Sequence, residues 1–346
     1  MDKKVRIGLI GVGNIAQNAH IPAYLKQKDV ELVACYDIKA DRAKEVAAKY
    51  NMTAEESLES LCARDDLDAV SVCTWNNGHA KSAIAALKAG KHVLCEKPMS
   101  MNAAECEAMI AAQKESGKLL MMGFCYRFSA SAKAIKALAD EGKFGEIYHA
   151  HASILRRRGT PLGWFTDLSK SGGGPVIDIG VHVIDLTWYL MGKPKLVSVC
   201  AQVHNRIGDY KTKGVSRWEA FDTDNLVFET EDSAAGIVKF ENGVSMIVEV
   251  SWAINGEAEG VTSKIYGEKA GANYSPCKIY GEEGGYLSDI DINTGKEDQF
   301  YNEIRHFIDC IKGNAECISK GEDGLVIQKI LNGIYQSSAE GKEIFF

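Results

Sequence analysis

Apolar runs and amphipathic stretches alternate along the first third of the chain. Val5–Ile10 is a short β-branched run, residues 14–26 carry helical spacing, and Val30–Tyr36 is a second apolar run. Helical stretches follow at 41–50, 57–61, 79–89 and Ala103–Ser116, interleaved with apolar strands at 69–74, 92–95 and 119–124. Gly90 and Gly117 stop two of these helices. Strands that are apolar on both faces, each followed by a helix, predict a doubly wound α/β fold with a parallel sheet covered on both sides.

The pattern changes near residues 124–128, which divides the chain into a first domain over 1–125 and a second over 126–346. A helix at 131–140 leads away from the first domain. Ile147–Leu155 and residues 196–203, 225–229, 234–240 and 243–252 then alternate polar and apolar positions, as strands of one-sided antiparallel sheets do. Glu241, Asn242 and Gly243 make a tight turn between two of them. Residues 204–218 are polar and aperiodic and read as a loop. Amphipathic helices at 299–312 and 325–338 close the domain. An open sheet of so many strands needs its second face covered, which predicts a homodimer or homotetramer formed through it.

One segment departs from ordinary amphipathicity. Residues 171–192, SGGGPVIDIGVHVIDLTWYLMG, open on three glycines and a proline and then run apolar. Pro175 suits a first helical position, and Gly192 with Pro194 marks the end. Within the run Asp178, His182, Asp185 and Tyr189 fall at i, i+4, i+7 and i+11, one stripe of a helix. No Lys, Arg, Glu, Gln or Asn occurs from 175 to 191, so the stripe is not an ordinary wet face. A buried helix carrying an acid and an imidazole four residues apart is equipped for proton transfer.

Composition narrows the function class. The 346 residues are 46% apolar and 25% charged, and the net charge of −7 argues against nucleic acid or an anionic membrane as partner. No apolar run reaches membrane-spanning length, and the start leads straight into a strand. The ten cysteines are scattered, with no C-x-x-C and no ligand cluster of metal spacing. Reduced thiols in a cytoplasm and no metal are expected.

The chemistry-bearing residues collect where a doubly wound sheet binds its ligands, beyond the strand C-termini. The first strand ends in Gly11, Val12, Gly13, Asn14, Ile15 and Ala16, a G-x-G-x-x-A turn. Gly11 permits the tight turn, Gly13 admits a pyrophosphate close to the backbone, and the following helix N-terminus favours its charge. Asp37, at the end of the second strand, is placed to bond ribose hydroxyls and to repel a 2′-phosphate. NAD is therefore expected, with NADP less favoured. Polar clusters follow later strands: Thr74 to His79, then Glu96 and Lys97 before Pro98, then Tyr126 and Arg127. Lys97 reads either as half of a surface ion pair or as an ammonium that polarises a substrate hydroxyl.

Taken together, GVGNIA, CTWNNGH, CEKPM, GFCYRF and GGGPVIDIGVH resemble the glucose–fructose oxidoreductase/inositol dehydrogenase/rhizopine catabolism (Gfo/Idh/MocA) family. The resemblance extends to VKFENGVSMIVEVSW and to the closing SAEGKEI. It implies an N-terminal Rossmann domain and a C-terminal α+β domain built on a large open, mostly antiparallel sheet. It also implies NAD(P)-dependent hydride transfer at a CH–OH group of a sugar, glycoside or inositol. Lys97, Asp178 and His182 match the family's catalytic set. Gly11, Gly13, Asn14, Ile15 and Asp37 match the adenosine–pyrophosphate side, and Thr74, Asn76, His79, Glu96 and Lys97 the nicotinamide ribose. One departure stands out: Trp75 replaces the proline usual in the T-P-N turn.

Substrate contacts are expected from Arg127, Arg156, Trp164 and Asp178. Arg156, Arg157 and Arg158 form either a solvated strand end or a pair of guanidiniums for substrate oxygens. The run RRRGTP followed by WFTD and SGGGP resembles the branch oxidising glucosides or inositol-like rings, often at carbon 3. Two alternatives stand beside the dehydrogenase: a glycosidase of the same family that oxidises transiently with bound NAD, and a non-catalytic regulator that binds the dinucleotide.

Overall fold

The computed structural model describes residues 4–215, 217–218 and 227–346. It divides into two compact units, Met1–Phe124 with Asp298–Gln328, and Cys125–Glu297 with Lys329–Phe346.

In the first unit the strands are β1 (Val5–Ile10), β2 (Val30–Tyr36), β3 (Thr53–Ala54), β4 (Ala69–Val72), β5 (His92–Glu96) and β6 (Leu120–Gly123). They form a wholly parallel sheet in the order β3-β2-β1-β4-β5-β6. The helices between them are α1 (Ile21–Leu25), α2 (Ala40–Tyr50), α3 (Leu58–Cys62), α4 (His79–Lys88) and α5 (Ala103–Ser116). β4 is buried at every position and β1 at all but one, which is why these strands read as unbroken apolar runs. The helix expected over 14–26 begins with a π-helical turn, Ala16–His20, before α1.

The second unit contains α6 (Ala130–Asp140), β7 (Ile147–Leu155), α7 (Leu168–Ser171), α8 (Val181–Leu190), β8 (Leu196–His204), β9 (Ser233–Phe240) and β10 (Ser245–Ser251). Strands β11 (Glu259–Gly267), β12 (Gly271–Asn273), β13 (Lys278–Glu283) and β14 (Tyr286–Asp291) follow, and β15 (Ile344–Phe345) ends the chain. All nine join one sheet, β14-β13-β12-β11-β7-β10-β9-β8-β15, antiparallel except where β7 meets β10. Helix α8 packs on β7 and β11, and one face of the sheet is buried through Ala150, Ala152, Met246, Val248, Val238, Ile265 and Ile279.

Two sequence expectations change here. The strand expected over 225–229 falls partly outside the described residues, and its described part, 227–229, is irregular. The second domain is also interrupted. Helix α9 (Gln299–Ile311) returns to the first unit, burying Ile304, Phe307 and Ile308, with Arg305 paired to Asp29 at 2.8 Å. Helix α10 (Gly321–Glu340) starts in the first unit and ends in the second. No helix among the described residues is long and apolar enough to cross a membrane.

Candidate active site

In the first unit, the glycine turn after β1 is built for backbone approach. Gly11 has φ +83°, and a Cβ there would lie 2.7 Å from the Cys73 carbonyl oxygen, so no other residue fits without moving β4. A Cβ at Gly13 would meet nothing within 4 Å. The space above Gly13 is thus open, with Asn14 and Ile15 half-exposed at the helix start beside it. The Asp37 carboxylate accepts the Val12 N–H at 2.9 Å and the Lys39 N–H at 2.9 Å, with the Arg42 guanidinium 3.6 Å away. It therefore braces the glycine turn, and a carboxylate has lone pairs left for ribose hydroxyls. An open cradle, an unhindered helix start and an acid at the end of β2 fit a dinucleotide.

The substitution at Trp75 leaves the next turn intact. Trp75 sits at φ −65° and ψ 159°, angles a proline would adopt, and its carbonyl accepts the Gly78 N–H at 2.9 Å. Thr74 is half-exposed and Asn76 is buried beside it. His79 departs from the expectation of a cofactor contact. It is buried, and its ring nitrogens lie 2.7 Å from the Pro98 carbonyl and 3.2 Å from the Thr74 carbonyl. Burial pushes its imidazole below the ordinary value. His79 ties the Thr74 turn to the chain after Lys97.

Glu96 also turns inward. One oxygen lies 2.8 Å from His20 Nε2, and the other accepts the backbone N–H of Lys97 at 3.2 Å. Burial opposes charge on both partners. For His20, Cys73 and the Glu96 carboxylate outweigh it and push the imidazole up to about 10. On Glu96 the bond from His20 outweighs burial and holds the carboxyl below its usual range. His20 Nδ1 reaches Ser71 Oγ at 3.3 Å, and Ser71 Oγ meets the Tyr24 hydroxyl at 2.7 Å. Glu96 thus fixes the backbone of half-exposed Lys97 instead of presenting its carboxylate to a ligand. The sequence reading missed His20; its place in the helix after the glycine turn was the available signal.

In the second unit, the glycines before Pro175 are dictated by two neighbours. A Cβ on Gly173 would fall 2.0 Å from the Tyr335 hydroxyl, and one on Gly174 would fall 2.3 Å from the Glu231 carbonyl oxygen. Buried Glu231 accepts the Gly174 N–H at 2.9 Å, the Val176 N–H at 3.1 Å and the Tyr335 O–H at 2.8 Å. A carboxylate at this position satisfies N–H groups that open the helix and favours its N-terminus. The helix then starts with a π-helical turn, Val176–Gly180, and continues as α8.

Asp178 lies in that π turn and His182 in the first turn of α8, both half-buried. Asp178 Oδ2 accepts the Trp252 Nε1–H at 3.0 Å, and the Trp252 ring is fully buried at the end of β10. The His182 ring packs on Tyr126, centroids 4.9 Å apart at 38°. Burial pushes the Tyr126 phenol up, so it is a neutral hydrogen-bonding group at physiological pH. Neither Trp252 nor Tyr126 was singled out from sequence as acting on this pair. Pi-helical turns inside α-helices are frequent at functional positions, and among the described residues one lies beside each candidate cluster.

The rest of the stripe is structural. Asp185 Oδ1 accepts Arg127 Nη2–H at 2.6 Å and Asp185 Oδ2 accepts Arg127 Nε–H at 3.0 Å, with both side chains buried. The Arg127 guanidinium also lies 4.8 Å from the centroid of the Tyr189 ring. This corrects the expectation that Arg127 binds substrate: its exposure is 0%, and its fork is matched by a carboxylate inside the fold. Arg156 is exposed, whereas Arg158 is anchored to Ile254 and Asn255. Trp164 stacks on Phe165 at 4.1 Å, and Phe165 meets Trp218 edge-on at 5.3 Å.

Both units have known relatives. Residues 5–124 match the oxidoreductase family with an NAD-binding Rossmann fold, and residues 132–273 match the GFO/IDH/MocA C-terminal domain. D-glucoside 3-dehydrogenase of Escherichia coli (strain K12) is 33% identical over 98% of this chain and 97% of its own length. Inositol 2-dehydrogenase of Rhizobium meliloti (strain 1021) is 27% identical over 98% of each. The crystal structure of an oxidoreductase domain protein from Kribbella flavida superposes with a TM-score of 0.86, at 26% identity over 99% of both chains. With both units matched in order, and a relative 33% identical over the full length, this chain belongs to the Gfo/Idh/MocA family of NAD-binding oxidoreductases.

Proposed function

We propose that this protein oxidises a secondary hydroxyl of a sugar, glycoside or inositol with NAD, and that its substrate is a glucoside oxidised at carbon 3. The observation that carries the reading is the pair Asp178 and His182 on one short helical segment, each held by an aromatic partner from another element. The full-length likeness to a D-glucoside 3-dehydrogenase supports the choice of substrate. NAD, when bound, supplies the hydride acceptor. His182 takes the hydroxyl proton as general base, and the Lys97 ammonium stabilises developing negative charge. Asp178, with one oxygen held by Trp252, accepts a hydrogen bond from a neighbouring ring hydroxyl. Exposed Arg156 and the Trp164 indole bind the sugar, while Gly11, Gly13, Asn14, Ile15, Asp37, Thr74 and Asn76 hold the dinucleotide. His79 and Glu96 act behind them, as positioning residues.

Two broader properties belong to the same proposal. The protein works in the cytoplasm, in keeping with ten cysteines none of which forms a disulfide. Two copies associate through the uncovered face of the nine-stranded sheet, where Ile247, Tyr266, Tyr280 and Leu287 are exposed.

A panel of glucosides, free sugars and inositols with NAD or NADP tests the reading, following NADH and product together. Stoichiometric NADH and a 3-keto glucoside are expected with NAD. Release of free sugar without net NADH would replace the dehydrogenase by a glycosidase, and no turnover with tight NAD binding would leave a regulator. Loss of a general base costs ~10²–10⁴ in rate, so His182→Ala should lower kcat by that factor. An unchanged kcat would remove His182 from the role.

A further inference from the structure

The sequence reading found no ligand cluster of metal spacing, yet the fold assembles one in the first unit. His306 and Cys310 stand four residues apart on α9, and Cys317 lies in the segment between α9 and α10. One ligand atom from each, an imidazole nitrogen and two sulfurs, lies within 4.8 Å of the others. Cys310 Sγ is 3.4 Å from His306 Nε2. We propose that His306, Cys310 and Cys317 form a zinc site, which clamps α9 to the segment that follows it.

Three features support the proposal. The first is distance. Zinc holds sulfur at about 2.3 Å and imidazole nitrogen at about 2.0–2.1 Å, so a tetrahedral site separates those two atoms by roughly 3.6 Å. The observed 3.4 Å requires almost no adjustment.

The second is rigidity around the ligands. His306 and Cys310 share one helix face through their i, i+4 spacing. The segment bearing Cys317 is fastened to β6: Ser319 Oγ–H donates to the Met122 carbonyl at 2.7 Å, and the Met122 N–H donates to the Ser319 carbonyl at 2.8 Å. Lys320 extends this as a single antiparallel bridge to Met121. Three ligands from two fastened elements need little ordering when a cation arrives.

The third is access. Cys317 is buried, while His306 and Cys310 are half-exposed, so a cation entering from solvent meets two ligands first and keeps a side for a fourth, a water. His306 Nε2 accepts the Ile318 N–H at 3.2 Å, a long bond that coordination would replace with a metal–nitrogen bond. Each thiol that binds zinc gives up its proton to solvent, and no redox change is involved.

The test uses the full-length protein, freed of metal by a chelator and kept reduced. Zinc chloride alone is added, and bound metal is measured by competition with a chromophoric chelator. About one equivalent is expected to withstand the competitor, with a rise in melting temperature. Cobalt(II) in place of zinc should give thiolate charge-transfer absorption. Cys310→Ser and Cys317→Ser should each abolish the retained equivalent and the absorption band, and His306→Gln, which removes a direct ligand, should weaken binding by more than the roughly 10–100-fold that loss of a ligand's hydrogen-bond partner costs. Cys200→Ser, which removes an exposed thiol elsewhere, should change neither. Circular dichroism and NAD binding report folding. If buried Cys317→Ser fails to fold, the half-exposed Cys310→Ser and His306→Gln decide. Wild type that retains no more zinc than Cys310→Ser overturns the proposal. So does a cobalt complex without thiolate absorption, or conversion to a Cys310–Cys317 disulfide with no metal retained.

Discussion

At the scale of single residues, Asp178 matters less by its position in the stripe than by what holds it. The Trp252 Nε1–H donates to Oδ2 at 3.0 Å from a fully buried ring, which fixes the orientation of the carboxylate. Trp252→Phe keeps most of the apolar packing and deletes the donor. A hydrogen bond to a charged group is worth about 1.5–3 kcal/mol, so kcat/KM should fall roughly 10–100-fold while NAD affinity is unchanged. Steady-state kinetics with a glucoside and NAD titration check this, and equal kcat/KM in both proteins would detach Trp252 from the reaction. The residue scale also shows where sequence misleads. Arg127 sits in a polar cluster after a strand, as a substrate-binding arginine would. The Asp185 carboxylate that claims it is 58 residues away in the chain, and only the fold brings them together. The Gly11 turn was legible because a local motif announces it; Trp252 and His20 were not, and Tyr126 was named without its contact to His182, because these act through contacts distant in sequence.

At the scale of elements, five of the six parallel strands and α5 were legible because burial on both faces and glycine stops leave strong local signals, whereas the two-residue β3, not buried at either position, was not. The π-helical turns were invisible, since no residue type marks them. The return of α9 to the first unit was equally hidden. Its amphipathic pattern says that one face is buried but not against what. Asp29 is part of the answer: it accepts from Arg305 at 2.8 Å and from Lys312, and Arg305 together with Lys312 holds its carboxyl down, to about 2. Because the folded-state value lies below the ordinary 3.8, the pair stabilises above that pH, and the contribution is lost as pH falls through about 2. Asp29 retains some solvent contact, which screens the pair, so Asp29→Asn should cost about 1–2 kcal/mol at neutral pH. Urea unfolding of both proteins at pH values from neutral down to about 2 should show the difference shrinking toward the acid end. A constant difference would mean that α9 is held by its apolar face alone.

At the scale of the whole molecule, the nine-stranded sheet has two unlike faces, and the difference explains what the sequence concealed. Strands β7, β9 and β10 alternate visibly because α8 and its neighbours bury one side of the sheet. β13 and β14, at the far edge, are largely exposed, so no buried face imposes an alternation on residues 278–291, where no strand was read from the sequence. The uncovered face can still be followed through the register. Ile237 pairs with Ile247, Ile247 with His151, Tyr266 with His149, and Tyr280 with Asp289, placing these side chains on one side. His149 stacks on Tyr266 with centroids 5.5 Å apart. Glu249, Lys264, Lys278 and Glu282 share the face, so charges of both signs lie among the apolar groups. A patch with both signs can be complementary to its own copy about a two-fold axis, which an all-acidic patch could not be. Leu287, which pairs with Glu282 on this face, is 92% exposed and costly to leave in water on a lone subunit. Tyr266→Lys combined with Tyr280→Lys puts two desolvated ammonium groups in each half of such an interface. Light scattering should then read a dimer or tetramer for the wild type and a lower mass for the double variant, with NAD binding retained in the other unit. A wild type that runs as a monomer at micromolar concentration would mean that this face stays open to solvent. Its aromatic rows would then require another occupant.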